Sequence, residues 1–143
     1  MPRISPEEYR IRLEALQAAV GNAGLDLFIV TSFDSIYYLT GAGFEPMERP
    51  FFLLVRPVRS PLLLVPKLDQ EHMKKARAIA SENIHTYWDY PAPSGRGWPD
   101  RLRGHIANAC RIGVEPALRQ EIAHELSGYS FWVEPIVEKL RLV

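Results

Sequence analysis

Residues 51–55 (FFLLV) and 62–65 (LLLV) are two unbroken apolar runs set six residues apart. Successive side chains of a strand point to opposite faces of its sheet, so a run without alternation marks a strand covered on both faces. Parallel pairing of two consecutive strands needs a crossover of roughly a dozen residues or more. The link from Arg56 to Pro61 contains two prolines and suffices only for a reversal. The pair therefore reads as an antiparallel hairpin, and the rest of the chain has to cover its two faces.

The covering elements can be read in order. Ser5-Pro6-Glu7-Glu8 is a capping box with proline at the first helical position. Tyr9, Leu13, Leu16 and Val20 continue it as one apolar helical stripe, and Gly21 and Gly24 stop it. Leu27–Val30 reads as a strand, Thr31–Ser35 as a polar turn and Ile36–Leu39 as one turn of helix. Gly41–Pro50 is a loop with two glycines and two prolines, anchored on the hairpin. The pattern over Leu68–Ala80 predicts a helix with Leu68, Ala76, Ile79 and Ala80 inward. Ile84–Tyr90 reads as a strand and Pro91–Gly97 as a loop. Leu102, Ile106 and Ala109 mark a helix, Arg111–Val114 a strand, Leu118, Ile122 and Leu126 a helix, and Phe131–Val133 a last strand. The sum is an α/β domain built on a mixed sheet of about six strands with helices on both faces.

The chain's 143 residues suit one domain. Its 17 basic and 17 acidic side chains balance, and no Lys/Arg-rich run stands out, which argues against a nucleic-acid or membrane-surface partner. No window approaches the apolar length of a transmembrane helix, and the polar N-terminus lacks a signal-peptide core. A single cysteine, Cys110, points to a reducing, cytoplasmic setting and reads as a buried structural thiol. Ile136, Leu140 and Val143 begin an amphipathic helix with no polar tail after it. The expectation is a fragment cut inside or just after a connecting helix.

A catalytic centre is not legible. The four histidines, His72, His85, His105 and His124, fall singly on four elements, and His124-Glu125 lacks the second histidine of a zincin helix because Gly128 stands there. Glu121 and His124 form only one of the pairs that a carboxylate-bridged metal site requires. Gly41-x-Gly43 and Gly95-x-Gly97 lack the third glycine of a nucleotide loop, and there is no nucleophile elbow. Tyr87, Trp88, Tyr90, Arg96 and Trp98 read as half-buried packing. What remains is the Gly41–Pro50 loop, a polar segment held on a buried strand.

The order of elements, with Asp26-Leu-Phe-Ile-Val30, Ile36-Tyr-Tyr-Leu-Thr-Gly41, Phe44, Glu48-Arg49 and the paired apolar strands, resembles the N-terminal domain of the creatinase/prolidase family. The closing Val137-Glu-Lys-Leu-Arg141 resembles the helix leading into that family's catalytic domain. The resemblance implies a ribonuclease H-like sheet over residues 1–135, with 136–143 starting a connecting helix. It implies a longer parent, a metal-dependent Xaa-Pro dipeptidase or aminopeptidase. Two divalent metals (manganese, cobalt or zinc) would sit in the parent's catalytic domain, with no cofactor in this chain. It also implies a homodimer in which this domain covers the partner subunit's active site and helps enclose a proline-containing peptide. Tyr38, Phe44, Glu48 and Arg49 are the residues the resemblance points to as facing substrate or partner. Against this stand solvated or internally paired roles for Glu48 and Arg49 and a core role for Tyr38. A creatinase-like amidinohydrolase and a non-enzymatic protein-binding module are the alternatives for the parent.

Overall fold

The computed structural model describes residues 4–43, 49–88 and 92–142. Its centre is a six-stranded mixed sheet in the order β4-β3-β2-β1-β5-β6. The strands are β1 (Leu27–Val30), β2 (Phe52–Val55), β3 (Leu62–Pro66), β4 (Ile84–Tyr87), β5 (Ile112–Val114) and β6 (Phe131–Val133). The hairpin is antiparallel as expected, with Leu53 opposite Leu63. β2 is also antiparallel to β1, whereas β1–β5, β5–β6 and β3–β4 are parallel. Five strands therefore run one way and β2 alone runs back.

The unbroken apolar runs are explained by helices on both faces. Phe28, Val30, Leu53, Val55, Leu63 and Val65 point to one side. There they meet Leu13, Leu16 and Val20 of α1 (Pro6–Asn22), Ile36 and Leu39 of α2 (Phe33–Thr40), and Ile136 and Val137 of α6 (Ile136–Arg141). Leu27, Ile29, Phe52, Leu54 and Leu64 point to the other. They are covered by Leu102 and Ile106 of α4 (Trp98–Ile106) and Ile122 of α5 (Gln120–Glu125). Burying one such side chain contributes about 1.5–3 kcal/mol, so the two layers supply the main stabilisation.

The serine half of the capping box forms, the Ser5 hydroxyl accepting from the Glu8 amide at 3.2 Å, while the Glu8 carboxylate accepts from Arg12 at 3.3 Å. Three local expectations are corrected. The Leu68–Ala80 helix is only a 3-10 turn (Lys67–Asp69) followed by α3 (Gln70–Met73). The Arg77 amide donates instead to the Thr40 carbonyl at 2.6 Å, and Ala78 sits at φ +61°, which no right-handed helix accommodates. The inward residues are Met73, Ala76 and Ile79, while Leu68 is 81% exposed and Ala80 is exposed. Second, the polar turn before Ile36 is already helical: Ser32 caps α2 by accepting from the Ser35 amide at 3.3 Å. Third, Cys110 is exposed rather than buried. It lies in the turn after α4, where Asp26 accepts from the Cys110 and Arg111 amides, both at 2.9 Å.

Candidate functional site

The parallel strands share one carboxyl edge, and in α/β sheets that edge is where ligands bind. The loop singled out in the sequence starts and ends there. Three contacts fix its described ends. Gly41 closes α2 in the left-handed conformation at φ +75°, donating its amide to the Tyr37 carbonyl at 2.8 Å. His72 Nε2 donates to the Gly43 carbonyl at 2.7 Å. The buried Tyr87 hydroxyl donates to the Pro50 carbonyl at 2.7 Å, just before β2. The described ends of the loop are thus anchored on a rigid frame.

Of the four residues indicated by the sequence, Phe44 and Glu48 lie outside the described residues. Arg49 pairs with Asp69 at 3.1 Å and keeps 43% of its side chain accessible. Tyr38 is half-buried between two guanidinium groups. Arg12 lies 4.1 Å from its ring centroid and Arg141 5.5 Å. Arg12 also donates to the Tyr38 carbonyl at 2.7 Å. This stack, with buried Ile136 and Val137, ties α6 to α1 and α2. Tyr38 thus packs with α1 and α6 before the loop, and Arg49 meets Asp69 after it.

The same edge carries groups that the sequence reading had not assembled. Tyr37 is 51% exposed and stacks on Phe33 at 6.0 Å. Trp88, read as half-buried packing, is 41% exposed under the Lys67 ammonium at 4.1 Å. Glu115, directly after β5, is 1% exposed. Its Oε1 accepts from the Thr31 and Ser32 amides at 2.8 and 2.9 Å, and its Oε2 from the Ser35 and Ser32 hydroxyls at 2.6 and 3.1 Å. It holds the start of α2 and so indirectly positions the loop. Eighty-odd residues separate it from those donors, which is why no local motif announces it. Among the described residues, no group of three or more His, Cys, Asp or Glu could hold a metal ion.

A second concentration of titratable groups lies away from this edge. His85 of β4 and His105 of α4 meet with ring centroids 4.8 Å apart. Burial pushes His105 down to about 4, with the charges of His85, Arg101 and Arg56 adding to it. Burial, then Arg101, lowers His85 in the same direction. At His105 the unfolded chain therefore takes up a proton near pH 6.5 that the folded chain refuses until about pH 4, and His85 acts in the same sense. Stability should fall as pH drops through that window. The loss assigned to His105 should be about 1–2 kcal/mol, less than the full shift would give because the ring is only half-buried. Urea midpoints measured from pH 7 to 4 should flatten in His105→Gln; an unchanged slope would remove His105 as the cause.

A family model described as the creatinase/prolidase N-terminal domain matches residues 12–143. Dipeptidase PepE from Mycobacterium ulcerans superposes with a TM-score of 0.79 at 22% identity, over 99% of this chain and 38% of that one. The N-terminal domain of an Xaa-Pro dipeptidase from Lactobacillus brevis gives 0.73 at 22%, over 92% of this chain and 99% of that one. The corresponding domain of an X-Pro dipeptidase from Streptococcus pyogenes gives 0.72 at 25%, over 87% and 99%. No curated protein matches the chain. The chain spans 38% of the length of PepE and 36% of a dipeptidase from Pyrococcus horikoshii. With the family match running from α1 to the last residue and the same sheet underlying these structures, the chain belongs to the creatinase/prolidase N-terminal domain family.

Proposed function

We propose that this chain serves as the non-catalytic N-terminal domain of an Xaa-Pro dipeptidase or aminopeptidase, where it supports a homodimer and covers the partner subunit's active site. The observation that carries this reading is the family match across the chain, combined with a loop pinned at Gly41, Gly43 and Pro50 on the carboxyl edge. The described side chains do not fit the metal pair of such a peptidase. The metals and the hydrolytic step belong to a catalytic domain elsewhere in the parent. This domain's own contribution is to enclose and orient. Arg49, steered by Asp69, offers a planar guanidinium suited to a substrate carboxylate or a partner acid.

The test is Arg49→Ala in the protein that carries this domain together with its catalytic domain. Losing a desolvated charge-assisted contact should lower kcat/KM on an Xaa-Pro dipeptide about thirty-fold or more, with Arg49→Lys recovering part of the loss. An unchanged kcat/KM would remove Arg49 from the site. The isolated chain should show no chelator-sensitive hydrolysis of the same dipeptide, and clear turnover would overturn the non-catalytic assignment.

A further inference from the structure

The opposite edge of the sheet holds a groove of about 720 Å³ between the β2–β3 turn and the end of α4. Arg56 and Arg59 line it from the turn, and His105 and Ala107 from the helix end. Arg56 donates to the His105 carbonyl at 2.6 Å, which places its guanidinium at the last turn of α4. The turn itself is fixed from behind. Gln17 of α1 donates to the Arg56 and Arg59 carbonyls at 3.0 and 2.6 Å, so the backbone that carries the two arginines is held before any ligand arrives.

The positive charge in this groove is offset in part by the carbonyl end of α4, which Arg56 meets. Among the described residues, no ion pair joins Arg56 or Arg59 to a carboxylate. Arg56 is held below the usual guanidinium range by burial and by the like charge of Arg59, and His105 feels Arg101 and Arg56 in the same sense. Asp26 is the one carboxylate lining the groove, and it is already engaged by the Cys110 and Arg111 amides. Two like charges on one turn, one of them part-buried, cost free energy that a bridging anion would return.

We propose that this groove is an anion site that takes a phosphate-type oxyanion, free or as a monoester, on Arg56 and Arg59. A tetrahedral dianion offers enough acceptors to satisfy two guanidinium forks at once, which chloride does not. The site lies at the edge opposite the Gly41–Pro50 loop, so its occupation is separate from the peptidase reading.

The experiment is a titration of the isotope-labelled chain with inorganic phosphate, with ionic strength held constant by sodium chloride and backbone amide shifts followed by NMR. Saturable shifts are expected at residues 56–60 and 105–109, with half-saturation at roughly millimolar phosphate. Arg59→Gln, at an exposed position, should raise that half-saturation about fivefold or more, and Arg77→Gln, on another surface, should leave it unchanged. Arg56→Gln should weaken binding as well; if it unfolds the chain, Arg59→Gln alone decides the question. Saturation by glycerol phosphate too would identify the phosphate group as the ligand, and saturation by inorganic phosphate alone would identify the free ion. Linear shifts with both, or equal half-saturation in wild type and Arg59→Gln, would overturn the proposal.

Discussion

Glu115→Ala should lower the unfolding free energy by about 3–5 kcal/mol. The carboxylate accepts from two backbone amides and two hydroxyls while being 1% exposed. Removing it leaves the Thr31 and Ser32 amides without this acceptor at a part-buried site. Each buried donor left unmade costs about 1–3 kcal/mol, and hydrogen bonds to a charged acceptor are the stronger kind. The serine hydroxyls can rotate to other partners, which keeps the total below the simple sum. Glu115→Gln tests the mechanism directly. The amide keeps one oxygen for the two backbone donors but presents an NH2 to the hydroxyls, and these can turn to accept it. Its cost should be nearer about 1–2 kcal/mol. Urea unfolding with a shared slope measures both. If alanine cost no more than glutamine, the clamp on the start of α2 would not be what Glu115 provides.

Gly41→Ala should cost about 2–4 kcal/mol, from two separable causes. At φ +75° a Cβ meets the following carbonyl, a penalty of about 1–2 kcal/mol. The same Cβ would stand 2.8 Å from Tyr9 Cζ and 2.9 Å from its hydroxyl oxygen, and overpacking of this kind costs about 1–3 kcal/mol. A double-mutant cycle divides them. Tyr9→Leu removes the ring atoms that the new methyl would strike, so Gly41→Ala in that background should keep only the conformational part. A coupling of about 1 kcal/mol or more is expected. Equal cost in both backgrounds would show that Tyr9 yields freely and that backbone strain alone explains the glycine. The same glycine ends the helix that delivers the functional loop. A milder effect of Gly41→Ala on stability than on kcat/KM of the parent would therefore point to loop placement.

The two unbroken apolar runs made the hairpin and its burial on both faces readable, because runs this short, joined by six residues with two prolines, suit covered strands and a reversal. The α1 boundaries were equally local: a serine cap, a proline at the first turn and glycines at the end carry their own conformational preferences. Where tertiary contacts outbid local preference, the reading failed. The helix expected over Leu68–Ala80 contains suitable residues, but the Arg77 amide is taken by the Thr40 carbonyl, and the chain leaves the helix there. Cys110 looked apolar in sequence and is exposed because Asp26 holds its turn at the surface.

The candidate site divides along the same line. Its loop could be named from glycine and proline in one short stretch, and Arg49 from the family resemblance. Glu115, His72, Lys67 and Trp88 could not, because each contributes through a partner far away in the chain or on another element. By itself, then, the sequence determined the strands, the antiparallel hairpin, the capped first helix and the family likeness, all of which follow from neighbours within a few residues or from the order of elements. Tertiary structure alone decided which residues share the carboxyl edge and that two histidines and two arginines gather at the other. Strand order and crossover direction bring distant residues together, and neither is encoded in any single stretch of the chain.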